Sequence, residues 1–195
     1  RYVFNADLSD FFGSINFGRV RGFFIKDKNF NLPQATATVI AQIACHENKL
    51  PQGSPCSPII SNLLGHILDI AHIELAKKNS CIYTRYADDL TFSTNKAEFP
   101  SPIAIQSDED LNIWLPGKRL TQVVQRNGFL FNEKKTRMQY KDSRQEVTGL
   151  SVNRKVNVSA SYRYTVRAMA NTPFRTGAFE HIHTRKKIDG TEVIS

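Results

Sequence analysis

Two aspartates stand side by side at positions 88 and 89, inside the stretch "CIYTRYADDLTFS" of residues 81–93. Apolar and polar residues nearly alternate on both sides of them, the period of a half-buried strand. A third acid, Asp7, closes the run "YVFNAD" near the start of the chain. If the strands that hold them are neighbours, three carboxylates meet at one end of a sheet. Such a cluster repels itself and costs desolvation unless a cation neutralises it. Hard oxygen donors at a partly solvated place suit Mg²⁺, which keeps several waters and takes substrate phosphate as a further ligand. Two such ions about 4 Å apart stabilise both the attacking and the leaving oxygen of a phosphoryl transfer. The same residues also suit two solvated turn acids and one strand-end acid, and spacing alone does not choose between these readings.

The other residues with chemical potential say less. Cys45, Cys56 and Cys81 show no CxxC spacing and are odd in number. They read as reduced thiols of an intracellular, cytoplasmic protein, not as a disulfide frame or a zinc site. Among five histidines only His181 and His183, in "HIH", have a ligand-like spacing. Arg85 reads as a strand-pairing arginine and His66 as a packed helical histidine. A net charge of +8 on 195 residues calls for an anionic partner, nucleic acid or a membrane surface. No uninterrupted apolar run reaches the roughly 18 residues of a membrane span, and the basic residues form no juxtamembrane cluster, so no membrane partner is expected.

The elements that must position the acids follow from the pattern. With 41% hydrophobic residues the chain can bury one sizeable core. Residues 2–8 predict a strand that ends in an acidic turn. Asn16 is placed to cap a helix to about Lys26. "NLP" opens a second helix, with Pro33 in its first turn, reaching about His46. "LPQGSPCSP" is a loop, and Ser57 and Pro58 then start a long helix to about Lys78. Two strand halves flank Asp88 and Asp89. Residues 95–117 are polar, carry three prolines and read as a loop or insertion. A helix over 119–127 ends at Gly128. Short strands are expected at 136–140, 146–150 and 152–158, a helix at 160–170, and a weakly patterned basic tail from 171. The order β-α-α-α-β-β-α-β-β predicts an α+β fold, an antiparallel sheet covered by helices on one face.

Five blocks in this order, "ADLSDFF", "LPQGSPCSPIISN", "YADD", "GFLFNEKKT" and "VTGLSVN", resemble the palm motifs of reverse transcriptases. "YADDLTFS" and the "VTG" block are most similar to the bacterial retron type, with group II intron and diversity-generating enzymes as relatives. The resemblance implies a polymerase-type palm over residues 1–158 and the start of a thumb or connecting segment over 159–195. It implies an RNA-directed DNA polymerase, a nucleotidyltransferase that joins a deoxynucleotide to a primer 3′-OH on an RNA template. Asp7 and Asp88 would hold two Mg²⁺ ions, with Mn²⁺ as a possible substitute, and Asp89 would be the accompanying acid. Leu8, Phe12, Gln52, Gly53 and Lys135 would contact the incoming dNTP. The Phe12 ring would lie under the sugar and exclude a 2′-OH. Lys135, or its neighbour Lys134, would approach the triphosphate and assist the leaving pyrophosphate. Val147, Thr148, Gly149 and Leu150 would grip the primer end. Lys118, Arg119, Arg126, Arg137, Lys141, Arg144, Arg154 and Lys155 would form a basic track for phosphates. By retron analogy the template is a dedicated structured RNA copied into msDNA, a partner effector protein is possible, and the setting is antiviral defence.

The sequence opens six residues before Asp7, already in a core strand, so it reads as a piece of a longer protein. The fingers expected upstream and most of a thumb are not in these residues, and polymerisation is expected to need them. The rival class is a non-catalytic RNA-binding module of palm-like fold.

Overall fold

The structure, a computed structural model, describes residues 1–153, 155–177, 184–186 and 192–194. The chain divides into two compact units, Arg1–Thr148 and Gly149–Ser195. The proposed roles of Arg154, His181 and His183 fall outside the described residues.

The first unit opens with β1 (Tyr2–Leu8), followed by the single-turn α1 (Phe11–Ser14) and by α2 (Phe17–Lys26). Asn16 caps α2 as its sequence position predicts: its backbone is extended and its side chain accepts from Arg19 N at 2.9 Å. Next come α3 (Gln34–Ala44), for which Pro33 is the cap, and α4 (Ser57–Lys78). A hairpin of β2 (Ile82–Tyr86) and β3 (Asp89–Thr94) follows. Then come β4 (Ala104–Gln106), β5 (Trp114–Pro116), α5 (Lys118–Arg126), β6 (Phe131–Tyr140) and the two-residue β7 (Glu146–Val147). The main sheet is antiparallel, in the order β2-β3-β1-β6.

Alternation sorts the sheet's faces. Phe4, Ala6 and Leu8 of β1, with Leu90 and Phe92 of β3, are buried in one cluster with Val20, Phe24, Ala41, Leu64, Leu68, Leu120 and Val124 from the helices. Phe4 and Phe92 are fully enclosed, and each such side chain contributes roughly 2–3 kcal/mol by leaving water. Asp7 alternates onto the other face of β1, beside Asp89 of β3. By length and composition α4 is apolar enough to cross a membrane. Here its stripe Ile60, Leu64, Leu68, His72 and Ala76 is buried in this core.

Three expectations are corrected. Residues 95–117 are not a plain loop: β4 and β5 pair as a hairpin, Phe99, Ile103 and Ala104 are core residues, and Trp114 Nε1 donates to Tyr140 Oη at 2.8 Å. Prolines and polar residues mask these anchors, which follow no single period. The strand expected at 136–140 is longer and begins at Phe131, because β6 stays paired with β1 through an irregularity. Among the described residues of 152–158 there is no strand; an isolated bridge joins Ser151 to Asn157.

The second unit, taken by itself, holds β8 (Leu150–Ser151), α6 (Ala160–Thr176), β9 (Thr184–Lys186) and β10 (Glu192–Ile194), the last two paired antiparallel. Ser159 caps α6 by accepting from Tyr162 N at 3.1 Å. The helix runs past the expected residue 170, through Pro173, to a left-handed Gly177. The units part at 148/149, whereas the sequence places the domain border at 158/159.

Candidate active site

The register of the sheet brings the acids together. Asp7 lies opposite Asp89, and Tyr86 pairs with Asp89 across the hairpin. Only Ala87 and Asp88 remain to make the turn. Leu8 N donates to Asp88 O at 2.9 Å, which ties that turn to the end of β1. Asp7, Asp88 and Asp89 are each half-buried. Burial pushes the Asp89 carboxyl above its ordinary value; Arg137 opposes the rise, and the neighbouring charges of Asp7 and Asp88 add to it. The three acids therefore feel one another, as clustered carboxylates must.

Lys135 reaches the same place by a defect in pairing. Asn5 lies opposite Arg137, but two residues on Asp7 lies opposite Asn132. Two steps on β1 thus match five on β6, and 133–136 bulge out of the ladder. A bulge re-aims side chains. This one turns Lys135 back onto Asp7, with Nζ at 3.3 and 3.2 Å from its two carboxylate oxygens. Lys135 is 59% exposed and Asp7 15%, so the lysine caps the acid from the solvent side.

Among the described residues no three His, Cys, Asp or Glu side chains are gathered closely enough to hold a metal ion. Asp7 has an ammonium on it instead. The donor set still fits a hard divalent cation: every candidate ligand is a carboxylate oxygen, each is half-buried at a strand end, and one is already short of positive charge. The Lys135 ammonium marks the place where a cation is favoured.

The remaining expected residues separate into near and undetermined. Leu8 is buried, its backbone tied to Asp88. Phe11 is the core aromatic at 2% exposure, while Phe12 is only half-buried, its ring edge-on to Phe11 at 5.4 Å. The Pro-Gln-Gly loop is anchored beside that segment, since Leu50 N donates to Ile15 O at 2.9 Å. Ser57 Oγ closes the loop on Pro51 O at 2.6 Å. Gln52 and Gly53 project into solvent. Gly53 has φ 91° with open space around it, so it is required by conformation and not by room. Val147 is half-buried, and Thr148, Gly149 and Leu150 are exposed. This block straddles the border of the two units, with Thr148 at φ 49° and Gly149 at φ 77°.

Two sequence readings change. Arg85 is not a strand-pairing arginine; it forms a two-pronged ion pair with Asp69 of α4. His66 is exposed, and the packed helical histidine is His72. Asp69 and His72 lie on the α4 face toward β2, a partnership between residues far apart in sequence that only the packing reveals.

The model of a family described as reverse transcriptase (RNA-dependent DNA polymerase) matches residues 1–153. The chain is 37% identical over 169 residues to the retron Mx162 reverse transcriptase of Myxococcus xanthus, covering 77% of this chain and 34% of that one. It is 30% identical over 184 residues to the retron Ec86 reverse transcriptase of Escherichia coli, covering 93% and 52%. With the retron Mx65 reverse transcriptase of Myxococcus xanthus it shares 32% over 194 residues, covering 90% and 42%. The chain thus spans between a third and about half of the length of these curated relatives. A match that takes in β1, the acidic hairpin and the bulged β6 together, with retron enzymes as the relatives, means that this chain belongs to the reverse transcriptase family, in its bacterial retron branch.

Proposed function

We propose that residues 1–158 are the palm of an RNA-directed DNA polymerase that copies a structured RNA into msDNA, and that 159–195 begin its thumb. The observation that carries this reading is the sheet register, which sets Asp7 opposite Asp89 and ties Asp88 to Leu8. Asp7 and Asp88 would hold two Mg²⁺ ions, with Asp89 as the accompanying acid. A divalent cation held by these carboxylates would supply Lewis-acid activation of a primer 3′-oxygen and neutralisation of phosphate charge. Lys135 exchanges the Asp7 carboxylate for the phosphates of an arriving dNTP and stabilises the departing pyrophosphate. Phe12 excludes a ribose 2′-OH. Gln52 and Gly53 offer an amide and an approachable backbone to the nucleotide, and 147–150 hold the primer end. Holding the primer and the dNTP in line supplies much of the rate. Basic residues beyond 118 bind template and primer phosphates. A partner effector protein and a role in antiviral defence belong to the same reading by analogy with the retron type.

One observation favours a second reading, a palm-like RNA-binding module without turnover: Asp7 is already neutralised by Lys135. Metal separates the two. Mg²⁺ or Mn²⁺ is expected to raise the melting temperature of the chain, and Asp88→Asn to abolish that rise. In the intact enzyme Asp7→Asn or Asp88→Asn should reduce primer extension to background, and Phe12→Ala should admit ribonucleotides. RNA binding with no metal response, unchanged by Asp88→Asn, would select the binding module.

A further inference from the structure

The turn that carries Asp88 is made by a residue poorly suited to it. A two-residue hairpin loop favours turns with a positive φ at the first central position, where glycine is preferred. This position is Ala87, held at φ 52°. Its strand β2 is one of the two edge strands of the sheet, with a ladder on one side only among the described residues. Both facts make the turn prone to relax; Leu8 N holds its Asp88 carbonyl from the β1 side, and the strained Ala87 peptide needs a partner of its own.

Arg85 is placed to be that partner. Its side chain is 5% exposed, and all three of its nitrogens donate, Nη1 also reaching Asn62 Oδ1 at 3.4 Å. Nε and Nη2 each donate at 2.7 Å to the two oxygens of Asp69, while Nη1 donates at 3.1 Å to the backbone oxygen of Ala87. Asp69 is fixed in turn by Tyr83, whose hydroxyl donates to Oδ1 at 2.8 Å. Space for the guanidinium comes from Gly65, one turn before Asp69 on α4, where a Cβ would lie 2.6 Å from Nη2. A strand-pairing role would need none of this; a planar fork aimed at a carboxylate and a turn carbonyl together needs all of it.

We infer that Arg85 is a positioning residue for the reaction: locked by Asp69 on α4, it holds the Ala87 carbonyl and so fixes the turn that presents Asp88. This rests on the reading of Asp88 as a metal ligand. The arginine acts from the helical face of the sheet, opposite the carboxylates, through the Ala87 carbonyl. It transmits the rigidity of α4 to the acid-bearing turn.

The test uses the 195-residue chain and three variants. Arg85→Lys keeps a cation opposite Asp69 but lacks the fork that reaches Ala87, so the fold should survive with a melting temperature close to the parent's. Two readouts are then expected to move: Mn²⁺ binds about tenfold more weakly, and the amides of residues 87–89 exchange with solvent about tenfold faster. Arg85→Met should exceed Arg85→Lys in both. Asp88→Asn should weaken Mn²⁺ binding and leave amide exchange in the turn unchanged. Parent-like exchange and Mn²⁺ affinity in Arg85→Lys would overturn the proposal. If Asp88→Asn leaves Mn²⁺ binding intact, the ligand reading of Asp88 fails, while the exchange of residues 87–89 still decides whether Arg85 holds the turn.

Discussion

The β2–β3 hairpin meets aspartate on each of its faces, the single Asp69 of α4 on one and Asp7, Asp88 and Asp89 on the other, and the two sides are treated oppositely. On the helical side Asp69 is met by Arg85 and Tyr83. Burial would raise its carboxyl, but these hydrogen bonds outweigh burial and bring it below its ordinary value. On the open side Asp89 is raised, by burial and by Asp7 and Asp88, although Arg137 and Lys135 are near. Asp69 and Asp89 are both half-buried. What differs is whether the chain completes the charge. Asp69 belongs to a closed network that holds structure, and Asp89 to one that a cation from outside can still improve.

Breaking the closed network is the most costly change. Asp69→Ala leaves the nearly buried Arg85 cation and the Tyr83 hydroxyl without their acceptor, and should cost about 3 kcal/mol or more, read by denaturant unfolding. Acid attacks the same network. Tyr83 gives its one proton to Asp69, so the 3.1 Å contact to His72 is made by Nδ1–H, and the buried Nε2 keeps a bare lone pair. Burial lowers the His72 pKa to about 4 from 6.5, with Asp69 partly opposing. The unfolded chain therefore takes up a proton that the native state refuses. Stability should fall as pH drops from 6.5 to about 4, by about 3 kcal/mol in total, and His72→Gln should flatten that part of the curve. Gly65→Ala forces a methyl into the Arg85 guanidinium and should cost about 1–3 kcal/mol. On the open face the effect is smallest. Lys135→Ala removes an exposed ion pair and should change stability by less than about 0.5 kcal/mol. A large loss there, or a small one at Asp69, would dissolve the contrast between the faces.

Most of the elements are legible in the sequence because local rules govern them. Asn16, Ser57 with Pro58, and Gly128 mark helix ends through capping and φ, and strand alternation marks β1 and the hairpin. The acids are legible as a group because strand-end carboxylates are conspicuous. What sequence hides is set by partners distant in the chain. The bulge of 133–136 exists only relative to β1, so the aim of Lys135 cannot be read from "NEKKT". Arg85 looks like any strand arginine until α4 supplies Asp69 and leaves space at Gly65. The core of 95–117 stays hidden because Phe99 answers to Tyr2, Phe4 and Trp114, and Ile103 to the same core, not to a period of their own.

The outermost position of β2 has a consequence for handling the protein. Ile82 and Tyr86 on that strand are 70% and 71% exposed, and one side of its main chain points away from the ladder with β3. An open edge of this kind is a template on which another extended chain can add. Addition there would extend the sheet to a fifth strand, immediately beside the turn that carries Asp88. Concentration-driven self-association would then appear, and dilution would reverse it.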